Sequence, residues 1–318
     1  TIERFAGIVG SVTRLQMLTV LTCVDMRAVG PGIWNEWKGE LLRQLYVSTV
    51  KFLMGEADTH RKSDAVRDLM ETLPKPTVKL VRETFNSLPN AYWQNHDIDE
   101  QKLHAEFCAR TFEQDKEHAV TTQLNRNKDI TEAWVLTIDR PQLFADLTGA
   151  MSANGASVVS AQLHTGTDGT VFNVFYLQNS EDLAFGRRNN RRLVELEKLT
   201  LKAAKGEVQS FKHPPALKSR RADAIPITPE VSIQAEGSSN AIIEARGRDR
   251  PGLLHELSKT ISAHGMSIHS AHIESRGPMA IDTFYVSLTP GTLLMGVGLT
   301  NALYRVFSGE SETAKVGA

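Results

Sequence analysis

Two six-residue stretches in this chain could do chemistry by the same means. Asp139-Arg140-Pro141-Gln142-Leu143-Phe144 and Asp249-Arg250-Pro251-Gly252-Leu253-Leu254 begin 110 residues apart. Each follows an apolar run of strand character, Ala133–Ile138 or Asn240–Ala245, and each opens a leucine pattern of helical spacing. Pro at a first helical position loses no hydrogen bond, and the Asp before it can accept from first-turn N–H groups. A strand–turn–helix start leaves N–H donors and a partial positive charge facing outward, which suits a small carboxylate. Gly252 would let a ligand or another backbone come close. Two readings stand: the turns only start helices, or they hold a small anion. Repetition in one context speaks for the second.

Other chemistry-bearing residues are scattered. Asp25 follows the apolar run Leu18–Val24 and precedes Gly30-Pro31-Gly32. A carboxylate in such a helix end is expected to meet Arg27, a backbone donor or a cation. One carboxylate cannot hold a catalytic divalent ion, which needs several ligands. His96, Asp97 and Asp99 lie close together after Pro89–Trp93, and Asp97 reads as the N-cap of the next helix. His104 and His118 read as the solvated face of a charged helix. Cys23 and Cys108 lack a metal-binding spacing and read as buried thiols in a reducing compartment.

The elements that must position these residues follow from periodicity. Residues 1–55 read as two helices around a loop, with Ile8, Val12, Leu15 and Leu18 on one face of the first and Trp37, Leu41, Leu45 and Phe52 on the second. Residues 62–118 read as three helices, the last carrying Leu103 and Phe107. After each Asp-Arg-Pro turn comes a helix ending at Asn154-Gly155 or His264-Gly265. An alternating strand follows, Ser157–Leu163 or Ser267–Ile273, then a second strand on Val174–Leu177 or Thr283–Val286. Arg187, Arg188, Arg191 and Arg192 give the first unit's last helix a basic face, read as solvated. Residues 206–229, with Pro214-Pro215, Pro226 and Pro229, form a linker.

The 318 residues are 41% hydrophobic and 23% charged with a net charge of −1, a folded globular composition. Nothing in that balance favours nucleic acid or a membrane. The run from Ile8 to Val24 carries Arg14 and Gln16 and makes a poor span or signal peptide, so a cytoplasmic location is expected. The chain opens at Thr1, so a processed, trimmed or partial chain is also expected.

Several stretches resemble known families. The βαββαβ units that open with Asp-Arg-Pro, the second as far as Asp282-Thr283-Phe284-Tyr285-Val286, resemble ACT domains, which sense amino acids. The first departs at Gln142, where the family has Gly. Leu18 to Asn35 is similar to the end of the HD phosphohydrolase domain in bacterial PII uridylyltransferase/uridylyl-removing enzymes, and Asp25 matches the last metal-ligating acid there. Leu88–Trp93 with His96-Asp97 resembles the link between the HD and ACT regions. The resemblance implies an α+β chain: a helical HD remainder and connector over 1–118, a ferredoxin-like ACT domain over 130–205, a linker over 206–229 and a second ACT domain over 230–310.

It further implies the C-terminal part of an enzyme that adds UMP to the PII signalling protein and removes it. Glutamine would be the allosteric effector, and Mg or Mn would serve the complete enzyme through Asp25 and ligands lying elsewhere. The nucleotidyltransferase domain and most HD ligands are not in these residues, so no catalytic residue is assigned and the chain alone is expected to be inactive. Glutamine contacts would fall on Asp249, Arg250, Gly252 and Leu253, and on Asp139, Arg140 and Leu143. Self-association through ACT sheets is a further implication. The alternative is a stand-alone double-ACT sensor without catalysis.

Overall fold

The computed structural model describes residues 2–30, 34–53, 62–208, 210–214, 226–236, 240–276, 279–288 and 296–308. The helical part comprises α1 (Ile2–Val9), α2 (Val12–Val29), α3 (Glu36–Leu53), α4 (Lys62–Thr72), α5 (Lys75–Ser87), α6 (Asn90–Asn95) and α7 (Ile98–Phe112). Two repeats follow. The first is β1 (Ala119–Asn125), β2 (Ile130–Ile138), α8 (Leu143–Ala153), β3 (Ser157–Thr165), β4 (Thr170–Gln178) and α9 (Asn190–Ala204). The second is β5 (Glu230–Glu236), β6 (Asn240–Arg248), α10 (Leu253–Ala263), β7 (Met266–Arg276), β8 (Met279–Leu288) and α11 (Gly296–Ser308).

The chain is α+β, helices first and the two sheet-forming repeats after. The strand that a βαββαβ order places last stands first in each repeat among the described residues. β1 therefore extends the first unit's sheet back to Ala119, ahead of residue 130. The expected first helix divides at Gly10, whose φ of 73° leaves the helical region, and the Ser11 side chain caps α2 by accepting from the Arg14 N–H. Its expected apolar face shrinks to Leu15: Ile8, Leu18, Met17, Val20, Leu21 and Val24 are exposed. The stretch after Pro89 is the short helix α6, and His96 and Asp97 lie between it and α7. Phe52 and the tail 309–318 lie outside the side chains and residues described.

All eight strands join one antiparallel sheet in the order β1-β2-β4-β3-β7-β8-β6-β5. The two repeats meet at β3 and β7, where Ser160 pairs with His272, Ala161 with Ala271 and Gln162 with Ser270. Ala161 and Ala271 are equivalent residues, so this register places a local two-fold between the repeats. A bulge interrupts β3 between Val158 and Ser160 and β7 between Ile268 and Ser270. It leaves Val159 and His269, again equivalent, as the extra residues.

Helices α8 to α11 cover one face of the sheet. Their Leu143, Leu147, Met151, Leu196, Leu253, Leu257, Leu299 and Leu303 share one core with Ala133, Val135, Phe175, Ile243, Phe284 and Val286 of the strands. The helical part covers the other face, among the described residues on the first unit only. Trp134, Leu136, Phe172, Val174 and Tyr176 point there, into a core with Leu69, Val81, Phe85, Leu88, Tyr92 and Phe107. β2 and β4 are thus buried on both sides, whereas β6 alternates buried and partly exposed residues.

That joint contains a buried histidine cluster. His104 is only 1% exposed and lies on α7 against Trp134 and Phe172, which corrects its reading as a solvated residue. The side of α7 that faces the sheet carries His104, Phe107, Cys108 and Thr111, while Leu103 is exposed. His118 is not helical at all; its ring bonds the Thr137 hydroxyl at 2.7 Å. Asp97 caps α7 as expected, in a capping box with Glu100. The His104 ring meets the Tyr92 hydroxyl at 3.1 Å and stands 4.8 Å from the His96 ring, which in turn is 5.6 Å from His164 of β3. Both ring nitrogens of His164 are buried without a hydrogen-bond partner. Burial, then the neighbouring His96, pulls His164 down to about 3, and burial also holds His104 well below the usual imidazole range.

The consequence has a definite sign. The folded ring of His164 stays neutral between about 3 and the ordinary 6.5, while the unfolded ring takes a proton. Stability is therefore lost as pH falls through that window, by up to about 1.4 kcal/mol per pH unit from this group. His164→Leu should flatten the decline, measured by urea unfolding across about pH 7 to pH 4. A variant with the wild-type slope would contradict a neutral buried ring.

Candidate functional site

The two Asp-Arg-Pro stretches have the same local geometry. The Leu143 N–H donates to the Arg140 carbonyl at 3.3 Å, and the Leu253 N–H to the Arg250 carbonyl at 3.1 Å. Pro occupies the second position of each four-residue turn, and the third is left-handed: φ 62°, ψ 9° at Gln142 and φ 83°, ψ −5° at Gly252. These are type II turns, with Pro where φ is preset and a positive φ next. The helices consequently start at Leu143 and Leu253, so Pro141 and Pro251 precede the first helical position, and Gln142 and Gly252 rather than the aspartates stand at the N-caps. Gln142 accepts the conformation that Gly252 adopts freely, so the first turn keeps its shape despite its departure in sequence.

The arginines tie each unit together. Arg140 pairs with Asp146 at 2.7 Å and donates to the carbonyls of Ala203 and Ala204 at the end of α9. Arg250 pairs bidentately with Glu256 at 2.8 and 2.7 Å and donates to the Val306 carbonyl near the end of α11 at 2.9 Å. Each guanidinium thus joins the start of the unit's first helix to the end of its second and satisfies carbonyls there. The side chains of Leu143 and Leu253 are 5% and 2% exposed and belong to the core. Among the expected contact residues, Asp139 and Asp249 are exposed.

The two turns differ in what surrounds them. Gln142 and Pro141 are exposed, and Asp139 lies near His269 of the other repeat. Burial lowers the His269 imidazole, and the Asp139 charge opposes that shift. Gly252 is buried. Its N–H donates to Ser152 Oγ of α8 at 2.9 Å, and His213 Nδ1 lies 3.2 Å from the same oxygen. Beside it, His255 Nδ1 meets the Ala145 carbonyl at 2.6 Å across the α8–α10 contact. On β8, Asp282 is 2% exposed with Oδ1 unpartnered; burial, then the Asp249 charge, pushes its carboxyl well above the usual range. The equivalent residue in the first repeat, Asn173, accepts the backbone N–H of His164 at 3.1 Å.

Ser152, His213, His255 and Asp282 did not emerge from sequence reasoning. Asp282 alone carried a signal, a carboxylate within an apolar strand beside Phe284 and Val286. A cleft of about 770 Å³ between the end of α7 and β1 includes neither turn. Asp25 is exposed on α2 and so needs none of the partners that burial would demand. Among the described residues no group of three or more His, Cys, Asp or Glu is placed to hold a metal ion. The described residues by themselves therefore do not make up a divalent-metal site. No helix among the described residues is long and apolar enough to cross a membrane.

Residues 241–289 match the ACT domain family. The second unit is an ACT domain, and the first repeats its turn, its helices and its sheet order. Over almost its whole length the chain is similar to bifunctional uridylyltransferase/uridylyl-removing enzymes. It is 36% identical to that of Caulobacter vibrioides (strain NA1000 / CB15N) over 310 residues, 95% of this chain and 33% of the relative. It is 36% identical to that of Phenylobacterium zucineum (strain HLK1) over 99% of this chain and 34% of the relative. The chain thus spans about a third of the length of these relatives. Among solved structures, the regulatory subunit of aspartate kinase from Thermus thermophilus covers 61% of this chain and 100% of its own at 13% identity, with a TM-score of 0.19.

Two substitutions test the turn geometry. Gln142→Gly should stabilise the chain by about 0.5–1 kcal/mol in urea unfolding by relieving the left-handed Gln; a loss of stability would contradict that account. Arg250→Lys should cost about 1–2 kcal/mol, because an ammonium cannot reproduce the bidentate pair and the carbonyl contact together. Wild-type stability in the lysine variant would remove the clamp.

Proposed function

We propose that this chain is the C-terminal regulatory portion of a bifunctional uridylyltransferase/uridylyl-removing enzyme acting on the PII nitrogen-signalling protein, and that its ACT units sense glutamine. The observation that carries the reading is similarity over 95% of the chain, a span too long to be explained by an ACT domain alone. Uridylyl transfer and removal then belong to the longer protein.

The turns support a sensing role. Two helix starts, at Gln142 and Gly252, lie beside the boundary between the repeats; the first is exposed, and the Gly252 N–H is held by Ser152. A glutamine carboxylate would take those donors, and polar groups nearby would hold its amide. Binding at a boundary can shift the arrangement of the two units only if one arrangement binds more tightly. The same contacts transmitted through β3 would reach the helical layer, whose Tyr92 and His96 rest beside His164. A stand-alone amino-acid sensor is the second reading, favoured by the sheet that the two repeats complete between themselves.

Calorimetric titration with glutamine, with glutamate as control, tests the sensing role. Selective heat with glutamine is expected. Equal binding of both, or binding of neither by the chain and by a full-length protein that contains it, would sink the glutamine assignment.

A further inference from the structure

The linker between the repeats does more than span them. It leaves the end of α9 beside Arg140, whose guanidinium holds the Ala203 and Ala204 carbonyls, and runs to the second turn. Phe211 packs into the notch at Gly149 of α8, where an added Cβ would stand 2.5 Å from its ring. The same ring makes an edge contact with His255 of α10 at 5.2 Å. His213 follows, tilted against His255 at 5.5 Å and bonded to Ser152, and its ring covers Gly252. A Cβ on Gly252 would lie 2.5 Å from the His213 ring.

The comparison of the two turns shows what this contact demands. Positive φ alone does not require glycine, because Gln142 carries a side chain at φ 62° in the equivalent place. Gln142 is exposed, whereas Gly252 is buried under the linker. The added requirement at the second turn is the His213 ring, which leaves no room for a side chain. The outward N–H at Gly252 is also already engaged by Ser152, which His213 in turn holds.

We propose that residues 211–214 form a built-in strap that closes the second turn, so that an amino-acid carboxylate reaches the Gly252 N–H only when Phe211 and His213 lift from the α8–α10 groove. The proposal rests on the reading of the turns as amino-acid sites. It makes the two turns unequal: the better family match is the one held shut, and the first is open. It also gives occupancy a mechanical output. The strap begins at the Arg140 clamp of one turn and ends on the other, so lifting it pulls on the helix end that the first turn holds.

The test compares the full chain with His213→Gly and with Phe211→Ala, using glutamine titration and amide hydrogen exchange of a peptide covering Gly252 to Leu254. His213 is half-buried on the surface of the groove, and its loss leaves both cores intact. With the strap weakened, exchange at this peptide should rise about tenfold. Glutamine should bind about fivefold more tightly or gain a second site, because the closed fraction no longer taxes the affinity. Faster exchange with unchanged affinity and stoichiometry overturns the strap as a gate, since ligand and linker then do not compete. Unchanged exchange overturns it as a cover. If neither wild type nor variants bind glutamine, the sensing assignment fails and exchange alone decides the strap: a rise in both variants upholds it as a mobile cover, and no rise removes it.

Discussion

Three residue pairs between β3 and β7 hold the arrangement together. Strand edges carry unpaired N–H and C=O groups, and two separate four-stranded units would each expose such an edge here. Pairing Ser160 with His272, Ala161 with Ala271 and Gln162 with Ser270 consumes both edges at once. Because the central pair joins equivalent residues, everything else near it is placed by symmetry. Helix α8 must lie against α10, each Asp-Arg-Pro turn must face the other repeat, and both bulges must fall beside the turns. The small side chains of Ala161 and Ala271, each 1% exposed, keep the sheet surface flat where those helices meet.

Within that frame the arginine of each turn has a mechanical role. An Arg that bridges a carboxylate on one helix and the terminal carbonyls of another fixes the second helix relative to the turn. The turn, the start of α8 or α10 and the end of α9 or α11 then move together. Such a unit suits a sensor, because a small shift at the turn is handed to a helix end without loss in a flexible joint.

Much of this was legible in the sequence. The repeated turn, the strand before it and the Gly after its helix located β2, α8, β6 and α10 with their partner strands, because each signal is local. What escaped was set by tertiary contact. His104 looked like one of many polar residues on a charged helix, but α7 turns that side to Trp134 and Phe172. Asp-Arg-Pro looked like a helix start, yet the Leu143 and Leu253 N–H bonds make it a type II turn and spend the arginine on carbonyls over 50 residues away. The linker's proline content spoke of a spacer and gave no sign that Phe211 and His213 would pack. The apolar run Val171-Phe172 and Val174-Phe175-Tyr176-Leu177, interrupted at Asn173, did hold the information that β4 is covered on both faces.

Among the described residues the helical layer lies over the first repeat alone, and this places two similar folds under unequal constraints. On β2 and β4 both faces are packed; the carboxylate that stands there, Glu132, accepts from the Trp134 indole N–H at 3.0 Å and is pushed up by burial, so a new charge would need a partner of the same kind. On β6 and β8 the outward face already holds Glu244, Arg246 and Thr283 and can accept new polar residues without disturbing a core. The second repeat is therefore free to acquire a recognition surface, while the first is constrained as a floor for the helices. Duplicated halves of this kind should diverge fastest where only one of them is roofed.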